Sequence, residues 1–244
     1  MYKFIFFTTV LFYMVSCKQA LGKLSPSYIH PCPVLTSECL KKRIVEILPE
    51  FSKGIPELGV LPIDPITSDS AEFSLAGGLK LHLYNATLTG MKNCIVDLLN
   101  LSEENLTTQI KMHCNLLSKG HYKANGRILT FPVNGDGDIK VKINNITSTI
   151  KIKFEDIVRD GVAYRIIKDM SFKHKFDGRV VYNISNIVKG NEELSKTILT
   201  FINENWKTIS EEFGNPIVQR VSERIVESVK KFFAEVPRDE LFIA

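Results

Sequence analysis

Residues 139–154, IKVKINNITSTIKIKF, alternate apolar and polar positions, lose step at Asn144 and Asn145, and then alternate in the opposite phase. Ile139, Val141 and Ile143 share a face before the break; Ile146, Ile150, Ile152 and Phe154 share one after it. Period-two alternation predicts a half-buried strand, and a one-residue slip predicts a β-bulge, which bends the strand and tightens its twist. The pattern recurs in LKLHLYNA (79–86) and VVYNISNI (180–187), with Asn85 and Asn186 standing where Asn145 stands. Asparagine adopts left-handed backbone more readily than most residues. Strands bent at equivalent points predict a strongly curved sheet spanning about residues 72–188.

The period changes on either side of this region. Leu40, Ile44, Ile47, Leu48 and Phe51 fall at helical spacing, with Ser37 as the predicted N-cap and Gly54 as the stop. A proline-punctuated link, GIPELGVLPIDPI, follows. From residue 191 onward an apolar stripe runs from Leu194 through Trp206, Phe213 and Phe232 to Val236, broken only by Gly214, Asn215 and Pro216. Asn215 is the expected cap of the second part. One kinked helix or two collinear ones would reach roughly 65 Å at ~1.5 Å per residue. A helix that long needs an equally long apolar partner, and the curved sheet is the only one the chain supplies. The pattern predicts an α+β fold, a sheet rolled around a long C-terminal helix.

The N-terminus reads MYKFIFFTTVLFYMVSC, one lysine and then an apolar run too short to span a bilayer. It predicts a signal peptide over 1–22, cut after Gly22 or alternatively after Cys17, ahead of a single domain over 23–244. The predicted product is secreted, with no stable membrane insertion. Removing Lys3 and Lys18 from a formal charge of +4 leaves the mature chain near +2, which gives no reason to expect nucleic acid. Secretion makes five sequons usable: Asn85, Asn100, Asn105, Asn145 and Asn183. Four cysteines then remain, Cys32, Cys39, Cys94 and Cys114, and an even count in a secreted chain favours disulfides. Three pairings are possible. Cys32 and Cys39 flank a short proline-containing turn. Cys94 and Cys114 lie symmetrically about residue 104 and would face each other in a hairpin turning at 102–105; the alternative leaves them as free buried thiols.

Catalytic chemistry finds little support. G-x-S-x-G, H-E-x-x-H and a phosphate-binding glycine loop are all missing, zinc-ligand spacing is absent, and the five histidines are scattered. Asn134, Asp136 and Asp138 have the first spacings of a calcium loop, but Ile139 and Asn145 occupy its glycine and glutamate positions. The chain is therefore expected to be neither an enzyme nor dependent on a cofactor or metal.

YIHPC (28–32) followed by Cys39 and Leu40, KGIPELGVLPIDP (53–65), GDG (135–137), NENW (203–206) and PRDELF (237–242) occur in order along the chain. Together they resemble the insect takeout proteins, relatives of the haemolymph juvenile hormone-binding proteins. The resemblance implies a TULIP-like super-roll, in which the wrapped helix and sheet enclose an elongated apolar tunnel. It also implies a Cys32–Cys39 disulfide, and an extracellular carrier of a terpenoid such as juvenile hormone, or of a fatty acid. Expected tunnel-lining residues are Leu81, Leu83, Phe131, Ile150, Ile152, Phe201, Phe213, Phe232 and above all Trp206, the single tryptophan, with Tyr84 and Tyr164 as hydroxyl anchors. Burying ~350 Å² of apolar ligand would contribute roughly 9 kcal/mol before association costs, so a monomer could bind without special polar contacts. The alternative is a signalling or chemosensory protein that docks to a receptor or membrane surface.

Overall fold

The computed structural model describes residues 24–242, so the expected signal peptide lies outside the described residues. Eight antiparallel strands form one sheet: β1 (Ile66–Ser74), β2 (Lys80–Thr89), β3 (Ile95–Ser102), β4 (Thr107–Ile128), β5 (Phe131–Val133), β6 (Asp136–Arg159), β7 (Val162–Phe176) and β8 (Val180–Ile184). The two longest, β4 and β6, pair along nearly their whole length. Each changes its outer neighbour partway: β4 passes from β3 to β2, and β6 from β8 to β7.

The opening slip lies at that changeover. Asn144 and Asn145 stand opposite the single residue Asn115, between the Leu116–Ile143 and Cys114–Ile146 pairs. Asn145 has φ +51°, and its N–H donates to Asn115 Oδ1 at 2.8 Å. The Asn145 carbonyl accepts the N–H groups of Asp177 and Gly178, and Asn144 binds Arg179 O, so the bulge also anchors the β7–β8 turn. Asn85 repeats the device: with φ +47° it sits between Tyr84 and Thr87, where the β2–β4 register shifts. Asn186 shares the left-handed backbone, φ +53°, but follows the end of β8, so the predicted third bulge is a strand terminus.

Among the described residues five α-helices accompany the sheet: α1 (Ser37–Phe51), α2 (Glu192–Glu204), α3 (Trp206–Phe213), α4 (Asn215–Glu235) and the short α5 (Arg238–Leu241). Thr36, not Ser37, caps α1, accepting from Cys39 N–H at 3.2 Å; Ser37 Oγ instead accepts from Leu101 N–H of β3. The C-terminal stripe breaks at Asn205 as well as at Gly214. Asn215 opens α4 without capping it and turns its side chain to His174. Helix α4 touches both outer strands, β7 and β1, and so closes the open side of the curled sheet.

Both disulfides are present. Cys32–Cys39 ties the N-terminal arm to α1, with Cα atoms 6.0 Å apart; Cys94–Cys114 crosses the β3–β4 hairpin, with Cα atoms 4.5 Å apart. Among the described residues no helix is long and apolar enough to cross a membrane.

Candidate functional site

The inward faces of the sheet and the apolar stripes of α1, α3 and α4 do not close on each other. They border one continuous cavity of about 750 Å³. Along β4 its wall runs from Thr108 to Ala124, about 50 Å at ~3.3 Å per residue. It crosses three apolar clusters: one around Leu79, Leu81 and Ile202, a central one around Val180 and Phe232, and one around Ile110, Ile150 and Ile167. The bulges create this length. Each phase change keeps the apolar residues on the concave face while the strand bends, so Leu116, Ile143 and Ile146 all border the cavity across the slip.

Of the expected lining residues, Leu81, Leu83, Ile150, Ile152, Phe213 and Phe232 border the cavity. Trp206, Phe131, Phe201, Tyr84 and Tyr164 do not. Trp206 packs half-buried against the central cluster. Phe131 and Phe201 pack against each other with tilted rings, 4.9 Å between centroids, and line a separate shallow groove with Glu193, Lys196 and Thr200. Tyr84 lies against the His82 ring, 3.9 Å between centroids, with Lys123 above it at 5.7 Å. Tyr164 carries the Arg159 guanidinium over its ring at 4.0 Å. Ile202, Ile209 and Phe213 of the same stretch do border the cavity; Trp206, the first residue of α3, sits at the helix break at Asn205 and lies off that wall, and Phe201 of α2 packs against Phe131 instead.

Two polar features of the wall carried no sequence signal. Arg165, only 3% exposed, borders the cavity and is paired with two carboxylates: Nε and one terminal nitrogen donate to Asp156, the other to Glu103, and the Phe242 ring lies 4.8 Å from its guanidinium carbon. The Arg165 hydrogen bond holds the Asp156 carboxyl below its ordinary value. Near the tunnel's midpoint, Tyr182 and Ser210 face each other with 2.8 Å between hydroxyl oxygens.

The short motifs are structural fasteners of this tunnel. In NENW, Asn203 binds the Tyr182 backbone at both N–H and C=O. In PRDELF, Glu240 accepts the N–H groups of Leu24 and Ser25, while Arg238 approaches Asp156 at 3.6 Å. In KGIPELGVLPIDP, buried Asp64 accepts the N–H groups of Gly90 and Lys92, joining the link to the turn before β3. In GDG, a Cβ on Gly137 would come within 2.5 Å of Ser185 O, so glycine permits the close approach of the segment after β8. Tyr122, 3% exposed, donates to that same carbonyl, and desolvation pushes its pKa up to about 12.

Outside the tunnel, His121 bridges Asp136 at 2.8 Å and Asp138 at 3.2 Å, and these hydrogen bonds raise its pKa. This engages the two aspartates of the rejected calcium loop. No metal-binding cluster occurs among the described residues. All five sequon asparagines are exposed.

A curled antiparallel sheet closed by a helix around one apolar tunnel defines a hydrophobic-ligand-binding protein of the super-roll type. Residues 9–243 match the family model described as haemolymph juvenile hormone binding protein, and the chain belongs to that family. It is similar to the circadian clock-controlled protein daywake of Drosophila melanogaster, 26% identical over 93% of this chain and 92% of that one. It is also 32% identical to a Manduca sexta juvenile hormone-binding protein over 65 residues, 26% of this chain and 28% of that one. The crystal structure of Epiphyas postvittana Takeout 1 matches with a TM-score of 0.83 at 33% identity, covering 88% of this chain and all of that one.

Proposed function

We propose that the protein is a secreted, monomeric carrier that holds one elongated apolar molecule, an isoprenoid or a long-chain fatty acid, in its tunnel. One observation carries the reading: a single, mainly apolar cavity runs through all three core clusters. An unfilled cavity of this size forfeits contacts that a ligand restores, and ~750 Å³ lies within the range of small-molecule sites. The mechanism is sequestration, in which the ligand is shielded from water and from degrading enzymes. Family membership supports the ligand class, and the apolar N-terminal run supports secretion. The exposed sequons support glycosylation at Asn85, Asn100, Asn105, Asn145 and Asn183. Binding and release need no covalent step, so the reading includes neither catalysis nor a cofactor.

Native mass spectrometry of the secreted protein before and after solvent extraction tests this. A bound apolar species that solvent removes is the expected result. It should be lost in Val141→Trp, which fills the tunnel beside Tyr182. A protein that emerges empty and takes up neither isoprenoids nor long-chain fatty acids would sink the carrier reading.

A second reading, docking to a membrane or receptor, draws on Val45, Ile95 and Leu98, which are 46%, 56% and 45% exposed on the adjoining α1 and β3. Vesicle flotation that survives wild-type loading but fails in a Val45→Ser, Ile95→Ser, Leu98→Ser variant would favour it.

A further inference from the structure

The tunnel wall is mainly hydrocarbon, and near its middle two of the polar side chains on it, Tyr182 and Ser210, form a hydroxyl pair. Tyr182 of β8 packs against both the central and the Leu81-side clusters. Its hydroxyl lies 2.8 Å from Ser210 Oγ of α3, and both residues border the cavity. The Tyr182 backbone is fixed from α2. Asn203 Oδ1 accepts the Tyr182 N–H at 2.9 Å, and Asn203 Nδ2 donates to the Tyr182 carbonyl at 2.8 Å.

The direction of the hydroxyl bonds decides what this pair can recognise. Ser210 Oγ donates to Trp206 O at 2.7 Å, the back-bond to the preceding helical turn that serines in helices make. A serine has one proton, and that carbonyl receives it. The Tyr182 proton then goes to Ser210 Oγ. The reverse arrangement would aim the phenol proton into hydrocarbon, where a donor without an acceptor is costly. Both protons are thus consumed in the chain Tyr182 to Ser210 to Trp206 O. Ser210 is the sole hydrogen-bond partner of the Tyr182 hydroxyl among the described residues. What remains facing the tunnel is the phenol oxygen's lone pair, an acceptor. Desolvation raises the Tyr182 pKa, so the phenol stays neutral at physiological pH.

We infer that the Tyr182–Ser210 pair is a specificity station that accepts a hydrogen bond from the ligand and selects apolar chains carrying an internal hydroxyl. The inference rests on the carrier reading and names the ligand chemistry within it. A hydroxyl at the matching position donates to Tyr182 and avoids burial unpaired. A carbonyl there sets lone pair against lone pair. A saturated chain neither gains nor loses. Sites built to pair a polar group discriminate far better than apolar walls do.

The test is a positional series of hydroxystearic acids, the matching oxostearic acids and stearic acid, titrated against the secreted, delipidated protein. At one position along the chain the hydroxy acid should bind about five- to tenfold tighter than its oxo partner, the worth of one net hydrogen bond. Tyr182→Phe should erase that preference, bringing the hydroxy and oxo acids to equal affinity at that position. Ser210→Ala frees the phenol proton to donate, so the preference should swing toward the oxo acid. Each variant removes one oxygen, thermal melts check its folding, and the wild-type series stands without either. Equal affinity for hydroxy and oxo acids at every position overturns the inference and leaves the carrier reading intact. So does a preference that survives Tyr182→Phe. Failure of every acid in the series, stearic included, to bind the wild-type protein overturns the carrier reading itself.

Discussion

Asn203 of α2 and Tyr182 of β8 are joined at two points: the asparagine amide accepts the tyrosine N–H at 2.9 Å and donates to its carbonyl at 2.8 Å. Strand β8 pairs with β6 on one side only, so these backbone groups face the edge left without a strand neighbour. The asparagine amide stands in for a missing strand. Asn203→Leu keeps the side chain's size and leaves two backbone groups unpaired, at a cost of about 2–3 kcal/mol. Urea midpoints should fall accordingly, and Asn203→Asp, which keeps only the acceptor, should lie between the two.

The bulge asparagines make a backbone prediction. At φ +51°, Asn145→Gly should leave stability nearly unchanged, whereas Asn145→Val should cost about 1–2 kcal/mol through the left-handed penalty on a branched side chain. Both variants remove a sequon, so the comparison is made on enzymatically deglycosylated protein by thermal melting. Equal losses in the two would mean that the side chain matters and the backbone conformation does not.

The two disulfides should differ in worth. Cys94–Cys114 closes a loop with a sequence separation of 20 and Cys32–Cys39 one of 7. Chain entropy assigns about 3 kcal/mol to the first and about 2 kcal/mol to the second. The paired alanine variants, compared by denaturant titration, should keep that order.

Acid should weaken the ion cluster at Arg165. A carboxyl whose folded pKa is depressed lends stability that is fully present above its unfolded value and is lost as pH falls through the folded one. For Asp156 the ordinary value is 3.8, and the Arg165 hydrogen bond is the main cause of the depression. Wild type should therefore exceed Asp156→Asn in stability at neutral pH, and the gap should close below about pH 4. Urea midpoints across the acid range check this. A gap that persists at the acid end would assign the effect to something other than the charge.

Much of this architecture is legible along the chain because it is written in local periodicity. The phase slips at Asn85 and Asn145 are covalent facts of residue order, and bulges are what a strand with one buried face must form around them. The Cys94–Cys114 bond is legible as hairpin symmetry about the turn, completed by a bulge at Asp97 that brings the two cysteines opposite each other. Leu81, Leu83, Ile150 and Ile152 lie on the concave face because alternation assigns faces without knowledge of neighbours.

Other features depended on where separate elements come to rest. Periodicity assigns a helical residue to a stripe, but the helix is interrupted at Asn205, and Trp206 falls off the cavity wall while Ile202 and Ile209 on either side stay on it. Tyr84 and Tyr164 were placed by hydroxyl chemistry alone, and the sheet put them among surface cations. Tyr182 and Ser210 are 28 residues apart, and Glu103 and Arg165 are 62 apart. No local rule brings such pairs together. The sequence by itself determined that a bent sheet would wrap a helix, because bending and amphipathicity are properties of single segments. Only the tertiary structure decided how far the helix would stand off from the sheet, and so that a tunnel exists with the Tyr182–Ser210 pair on its wall. That distance is set by side-chain packing summed over the whole interface.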